Sequence, residues 1–142
     1  MGQVKIFTDG SAVPNPGAGG WCAIVRSEGG AEQVLSGGAT YATSYEMEFA
    51  PAVAALLLLK EPSSIELTLD NEIVVNGINN GVKDSEKPYL WDAYLAVAKR
   101  HKVTAKWLKR NSIEELKQCD KIAREIAKKI AEEVAEKLKN KG

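Results

Sequence analysis

The sequence predicts an α/β protein with a mixed β-sheet, and three observations support this fold class. Three strand-like segments follow one another through short connections near the amino terminus, which favours an antiparallel meander. A helix-like segment then separates them from a fourth strand, so this strand can lie parallel to the first through a crossover. Helix and strand segments alternate further on, ending with a fifth strand and an extended amphipathic helix.

The first predicted strand covers residues 4–8, which are mostly good strand formers. The turn signals Asp9-Gly10 and Pro14-Asn15-Pro16-Gly17 come next, so we expect the strand to stop at Asp9. In sheets flanked by helices, the carboxyl end of a strand is the usual place for chemistry. Taken alone, Asp9 can be interpreted as a catalytic acid or as a turn residue, and the two interpretations are equally well supported.

The second and third strands are predicted at residues 20–27 and 32–39, joined by a hairpin turn at Glu28-Gly29-Gly30. A helix should then run from Thr43 to about residue 60, because Thr43 and Glu46 fit a capping box. Pro51 is expected to kink it. Glu48 is predicted to lie beside an apolar stripe on this helix. The stripe is formed by Met47, Ala50, Ala54, Leu57 and Leu58.

Strict alternation predicts a fourth strand over residues 65–70, and again an acid, Asp70, ends it. A short helix over 71–80 is expected to end at Asn79-Asn80-Gly81. After a polar connection at 83–87, the pattern predicts a helix over about 89–101, a strand over 103–108 and a loop over 109–112. The final helix is predicted from 113 to about 139.

Composition limits the classes of protein to consider. A chain of 142 residues with 44% hydrophobic residues fits a single globular domain over residues 1–142. Lysine plus arginine and aspartate plus glutamate each number 19, so any polyanion must be bound by a local patch or by metal. The apolar run at 49–59 is too short for a bilayer, and no signal-peptide pattern is present, so no membrane association is expected. Cys22 and Cys119 form no CxxC motif, which favours free thiols and a cytoplasmic location.

If their strands are parallel neighbours, the carboxylates of Asp9 and Asp70 would lie at the same edge of the sheet. The carboxylate of Glu48 could lie close to them. Carboxylates packed this closely repel one another unless they are protonated or bind a cation. Hard oxygen ligands suit Mg²⁺ or Mn²⁺, and a pair of such ions can catalyse phosphodiester hydrolysis. The single histidine, His101, has no sequence partner and is interpreted as structural.

At this point the chain resembles the type 1 ribonuclease H family, and the match runs in order along essentially the whole chain. The resemblance rests on motifs around four acids: Ile6-Phe7-Thr8-Asp9-Gly10-Ser11 with Asn15-Pro16-Gly17, Met47-Glu48, Leu67-Thr68-Leu69-Asp70-Asn71, and Cys119-Asp120-Lys121-Ile122-Ala123. Without the resemblance, Asp120 would be interpreted as a solvated helix acid.

The resemblance implies a ribonuclease H-like fold, a mixed five-stranded sheet with strands 1–3 antiparallel, strands 4–5 parallel, and helices on both faces. It also implies metal-dependent endonucleolytic hydrolysis of the RNA strand of RNA–DNA hybrids, which leaves 5′-phosphate and 3′-hydroxyl ends. Asp9, Glu48, Asp70 and Asp120 would bind two Mg²⁺ or Mn²⁺ ions. RNA would be distinguished from DNA by its 2′-hydroxyl groups.

Substrate contacts carry over less completely from the family. Asn15 matches a residue that reads the minor groove, although an Asn in a Pro-Asn-Pro turn is equally well explained as a turn residue. Thr43 matches a residue that binds a DNA-strand phosphate, although it is also the predicted helix cap. Two family amides correspond to Ser44 and Tyr45, and Tyr45 is a departure. The full predicted substrate-binding set is Gly10, Asn15, Thr43, Ser44, Asn71 and Asn111.

Two larger departures concern loops. Residues 80–87 are too short and too neutral to form the basic, Trp-bearing protrusion of many family members. The loop before the final helix lacks the family's histidine; Asn111 lies closest and can position a water but cannot carry a proton near neutral pH. We therefore expect weaker turnover and hybrid affinity than in members that have both features. Lys109 and Arg110 form a small basic patch in this loop, or simply a solvated loop.

Two alternatives to an active enzyme remain at this stage. The departures at Tyr45, Pro51 and Asn111 would also fit a hybrid-binding module with weak or no cleavage. The long, Ile/Ala-rich final helix could in principle mediate dimerisation, but it is expected to cover the sheet in a monomer.

Overall fold

The computed structural model describes residues 2–81 and 88–141. Its strands are β1 (Gly2–Val13), β2 (Gly17–Ser27), β3 (Glu32–Ala42), β4 (Ser63–Leu69) and β5 (Lys102–Trp107). Its helices are α1 (Ser44–Leu58), α2 (Glu72–Asn80), α3 (Pro88–Ala98) and α4 (Glu114–Lys141). The expected absence of a basic protrusion falls largely on residues 82–87 and lies outside the described residues.

The strands form one sheet in the order β3-β2-β1-β4-β5. The β1–β2 and β2–β3 pairs are antiparallel, whereas the β1–β4 and β4–β5 pairs are parallel. This arrangement confirms the predicted mixed α/β fold. The parallel pairing of β1 with β4 brings the carboxyl ends of their paired stretches to the same edge of the sheet.

The prediction that the first strand stops at Asp9 is wrong. β1 continues to Val13, and each residue from Asp9 to Val13 has a partner on β2, from Cys22 to Ala18. The backbone groups after Asp9 thus find hydrogen-bond partners in an unbroken antiparallel ladder, which overrides the Asp-Gly turn signal. Strands β2 and β3 are longer than predicted for the same reason, and the turn between β1 and β2 lies at residues 14–16.

Helices cover both faces of the sheet. The larger core lies between the sheet and helices α1, α2 and α3, and the smaller one lies under α4. Alternation along β1 sorts its side chains between them: Ile6 packs in the larger core and Phe7 in the smaller. Both cysteines, Cys22 and Cys119, are free and buried in the smaller core.

Helix α1 begins at the predicted capping box, where the Thr43 and Glu46 side chains and backbone N–H groups bind each other reciprocally. The apolar stripe predicted for this helix is wrong in detail, because Leu57 is exposed and the buried face is shifted around the helix. Glu48 lies on the buried face itself rather than beside it. The buried residues are Met47, Glu48, Phe49, Pro51, Ala52, Ala55 and Leu56.

Pro51 sits inside α1 and has no N–H to give to the carbonyl of Met47 one turn earlier. Gly10 of β1 lies against this same carbonyl: a Cβ atom placed on Gly10 would be 2.1 Å from the Met47 oxygen. Glycine at position 10 therefore allows the backbone of α1 to approach β1 closely. This close approach sets the distance between Glu48 and Asp9.

Helix α4 crosses the other face at a similarly glycine-dependent contact. A Cβ atom on Gly20 would be 2.2 Å from the carbonyl oxygen of Ala123. The α4 helix thus covers the sheet as predicted. Across the described ranges, no helix is both long and apolar enough to cross a membrane. His101 has a structural contact, because its Nδ1 accepts a hydrogen bond from the backbone N–H of Ser63 at 3.1 Å.

Candidate active site

The three predicted acids Asp9, Glu48 and Asp70 meet at one edge of the sheet. Each offers a carboxylate oxygen, and these oxygens all lie within 4.8 Å of one another. Asp9 and Glu48 are buried, and Asp70 is half-buried. The sequence thus predicted the grouping correctly, although the position of Asp9 in its strand was wrong.

The sheet explains how Asp9 can face the other acids from the middle of a strand. The parallel pairing of β1 with β4 ends at Phe7 and Thr68, two residues before Asp9. Beyond that point β1 stays paired only with β2, while β4 ends at Leu69 and the chain bends at Asp70. The divergence of the two strands opens the β4 side of β1 beside Asp9, and this is where Asp70 lies.

The backbone N–H of Gly10 joins two of the carboxylates. It donates to Oδ1 of Asp9 at 2.9 Å and to Oε1 of Glu48 at 3.3 Å. The second oxygen of Glu48, Oε2, is buried and has no hydrogen-bond partner in the part of the chain that the structure describes. A buried carboxylate oxygen without a partner is costly, so this atom is available for a cation.

Burial and mutual repulsion raise the pKa values of these acids. Burial, followed by the charges of Asp70 and Asp120, raises the pKa of Asp9 to about 7. Burial and the charge of Asp9 raise the pKa of Glu48 well above its ordinary value. Burial also raises the pKa of Asp70, against the opposing effect of the Arg110 charge. A divalent cation would remove this penalty by neutralising the carboxylates.

The donor set fits a hard divalent metal ion. All three ligand groups are carboxylates, and neither histidine nor cysteine belongs to the cluster. Oxygen ligands of this kind suit Mg²⁺ and Mn²⁺ better than softer metals. The unpartnered Glu48 oxygen agrees with this fit. The buried acidic cluster can therefore hold metal.

Asp120 lies next to the cluster but is not one of its three members. The charge of Asp120 is one of the causes that raise the pKa of Asp9, which places the two carboxyl groups close together. Oδ1 of Asp120 also accepts from Arg110 at 3.2 Å and from Arg124 at 3.1 Å. Two arginines thus hold the carboxylate of Asp120, which is a buried residue, and its predicted role as a metal ligand stays a prediction.

An open cavity of about 680 Å³ contains the site. Of the predicted substrate contacts, Gly10, Ser44 and Asn71 line it. Arg110 lines it as well, although in the sequence it was only one of two basic residues in a loop and thus a weak indication of a site. Arg110 is 57% exposed at its side chain, so it presents a positive charge at the rim.

The remaining substrate contacts stay predictions, and their local structure explains part of their identity. Asn15 Oδ1 accepts from the backbone N–H of Ser44 at 3.0 Å, which ties the β1–β2 turn to the start of α1. Thr43 caps α1. Tyr45 turns towards the core, where its hydroxyl accepts from Nε1 of Trp91 at 3.1 Å.

Asn111 adopts a left-handed backbone conformation with a φ angle of 57°. Asparagine tolerates this conformation better than most residues, which accounts for its presence in the loop. It is exposed, and the cavity lining includes its neighbour Arg110 instead. The loop residue nearest the acids is therefore an arginine, which stays positively charged and cannot act as a proton carrier.

We expect metal-free protein to lose stability as pH rises, relative to Asp9→Asn. The pKa of Asp9 is about 7 in the folded state, against 3.8 ordinarily. Between these values the folded protein binds more protons than the unfolded chain, so stability falls with rising pH. Thermal melts of both proteins in EDTA at pH 5 and pH 7.5 measure this. The melting temperature of the wild type minus that of Asp9→Asn should become more negative, and Mg²⁺ or Mn²⁺ should restore it. A difference that stays constant would contradict the assignment.

Comparison with known proteins points to one family. The family model described as RNase H matches residues 1–128. The ribonuclease H of Campylobacter curvus is 38% identical over 141 residues, covering 89% of this chain and 94% of that protein. The ribonuclease H of Mesorhizobium japonicum is 41% identical over 137 residues, covering 87% of this chain and 77% of that protein.

Solved structures share the fold at lower identity. The N-terminal RNase H domain of a Mycobacterium tuberculosis protein, solved as a fusion with maltose binding protein, gives a TM-score of 0.81 at 20% identity, covering 94% of this chain and 99% of that chain. LC11-RNase H1 in complex with an RNA/DNA hybrid gives a TM-score of 0.74 at 20% identity, covering 89% of this chain and 97% of that chain. These likenesses support the fold.

Proposed function

The chain belongs to the type 1 ribonuclease H family, and we propose that it cleaves the RNA strand of RNA–DNA hybrids with two divalent metal ions, Mg²⁺ or Mn²⁺. The products would carry 5′-phosphate and 3′-hydroxyl ends. One observation carries the proposal: three carboxylates converge within 4.8 Å, and a buried Glu48 oxygen among them has no hydrogen-bond partner among the described residues. The hybrid complex of LC11-RNase H1 supports the choice of substrate.

Asp9, Glu48 and Asp70 would hold the metal, with Asp120 completing the site from α4. When bound, ions of this kind activate the attacking water and stabilise the leaving oxygen of a phosphodiester. The protein's own contribution is to fix the ligands. Gly10 N–H holds the Asp9 and Glu48 carboxylates in their relative positions before metal binds, so little reorganisation is required.

Arg110 would bind a phosphate of the RNA strand at the rim of the cavity. Its guanidinium can donate two hydrogen bonds to phosphate, and it already lies beside the acids through its contact with Asp120. Among the described residues that line this acidic cavity, Arg110 alone carries a positive charge. A bound substrate would therefore place a phosphate next to Arg110. The Ser44 hydroxyl and the Asn71 amide line the same cavity and would contact the nucleic acid.

A cleavage assay tests the proposal directly. A hybrid with a labelled RNA strand should show internal cuts in Mg²⁺ or Mn²⁺, whereas single-stranded RNA, duplex RNA and duplex DNA should not. The ends can be identified by mass spectrometry. Tight hybrid binding without cleavage in either metal would instead support the binding-module alternative, and absence of both would contradict the proposal.

Arg110→Ala should lower kcat/KM for the hybrid by about tenfold, the effect of losing a charge-assisted contact worth roughly 1.5 kcal/mol. Arg124→Ala is the matched control, because Arg124 also binds Asp120 but is not part of the cavity lining. Its effect should be within about threefold. Equal losses in the two variants would mean that Arg110 acts through Asp120 rather than on the substrate.

A further inference from the structure

Trp107 ends β5; the residue is 42% exposed, and its indole makes a specific polar contact. Its Nε1–H donates to the backbone carbonyl oxygen of Asp70 at 3.1 Å. The β4–β5 pairing ends at Leu69 and Trp107, and the N–H of Leu108 donates to the carbonyl of Leu69, also at 3.1 Å. The indole thus adds one hydrogen bond just beyond the end of the backbone ladder.

Asp70 needs such support more than the other two acids of the cluster. Asp9 lies within β1 and Glu48 lies within α1, so regular backbone hydrogen bonding fixes both. Asp70 lies in a bend between β4 and α2, outside both elements. Its own backbone carbonyl is held by Trp107, and the next residue, Asn71, is held by capping α2 through Val74 N–H at 3.1 Å.

We propose that Trp107 is a positioning residue, whose indole N–H fixes the Asp70 backbone and thereby sets the direction of the Asp70 carboxylate towards Asp9 and Glu48. The inference rests on the proposed role of Asp70 as a metal ligand. Rotation of the peptide between Asp70 and Asn71 would displace the carboxylate from the other two acids. Mg²⁺ requires near-ideal octahedral geometry, so a small displacement weakens metal binding.

A purely structural role for the ring has to be separated from this one. The Trp107 ring lines a groove together with Ile73 and Asn76 of α2, so it also contributes packing. Trp107→Phe keeps an aromatic ring and removes the N–H donor. Trp91→Phe is the matched control, because Trp91 Nε1 donates a bond of the same length, 3.1 Å, to the Tyr45 hydroxyl in the larger core.

The test is Mn²⁺ binding measured by calorimetry in the absence of nucleic acid. Trp107→Phe should raise the dissociation constant of Mn²⁺ by about tenfold, as expected for loss of a group that orients a ligand. Trp91→Phe should leave it unchanged while lowering the melting temperature. In the cleavage assay, Trp107→Phe should raise the metal concentration for half-maximal rate, with kcat at saturating metal and KM for the hybrid within twofold of wild type.

Wild-type Mn²⁺ affinity in folded Trp107→Phe would overturn the proposal. NMR of the wild-type protein tests the same proposal without the variant, in case Trp107→Phe does not fold. Each of the three tryptophans gives its own indole N–H signal. Addition of Mg²⁺ should shift the Trp107 signal and leave the Trp91 signal in place, and a static Trp107 signal would overturn the proposal. Both measurements omit the hybrid, so a protein that binds metal but does not cleave would contradict the proposed function alone.

Discussion

Replacing Asp9 with asparagine is expected to reduce hybrid cleavage by at least about a thousandfold. Asp9 offers one of the three converging carboxylate oxygens, and its Oδ1 is held by the N–H of Gly10. An amide offers a metal one neutral oxygen in place of a charged one. Metal stabilisation of transition-state charge is worth several kcal/mol, and each 1.4 kcal/mol is a factor of ten in rate. Initial rates on a labelled hybrid, measured over a range of Mg²⁺ and Mn²⁺ concentrations, give the effect.

The same substitution should make metal-free protein more stable at neutral pH. It removes a carboxyl whose pKa is raised to about 7 by burial and then by the charges of Asp70 and Asp120. Loss of activity together with a higher melting temperature in EDTA would separate catalysis from folding. Asp92→Asn is the matched control, because Asp92 is exposed on α3, and it should change neither quantity. An Asp9→Asn variant with rates near wild type at saturating metal would contradict the site.

Replacing Gly10 with alanine is expected to lower stability more than other conservative changes in β1. The added Cβ atom would lie 2.1 Å from the Met47 carbonyl oxygen, a backbone atom that cannot rotate away. Helix α1 would have to move off the sheet, which also separates Glu48 from Asp9. Overpacking of this kind typically costs 1–3 kcal/mol, so we expect the melting temperature to fall by roughly 3–12 °C.

Gly2→Ala is the matched control in the same strand, because a Cβ atom there would have nothing within 4 Å. It should leave the melting temperature within about 1 °C and the activity unchanged. Gly10→Ala should also bind Mn²⁺ more weakly, since the Gly10 N–H contacts both carboxylates. A melting temperature equal to that of Gly2→Ala would show that α1 has room to move, contrary to the close approach described above.

Much of the fold could be predicted from local patterns. The capping box of Thr43 and Glu46 placed the start of α1, and the alternation at residues 65–70 placed β4 to within two residues. The strand ends were less predictable. The Asp9-Gly10 pair is a turn signal in any short window, and only pairing of β1 with β2 over its whole length keeps the chain extended there.

The four acids also differed in how far the sequence alone could predict their roles. Asp9, Glu48 and Asp70 could be proposed from the residues alone, because two acids follow strand-like segments and one lies on the connecting helix. Asp120 has no such local signal and was identified only by its resemblance to a family motif. In the sequence Arg110 is one charge in a polar loop, and only the structure shows that it lines the cavity and binds Asp120.

The sequence by itself determined the order of the elements, the carboxylate chemistry and the family, because these depend on residue types and their spacing along the chain. Only the tertiary structure decided that Asp9 lies within a strand, that Gly10 contacts α1, and that Trp107 binds the backbone of Asp70. The physical reason is that each of these depends on atoms far apart in sequence. The open edge beside Asp9 exists because β4 ends where β1 continues. This divergence of the two strands cannot be predicted from the sequence of either strand alone.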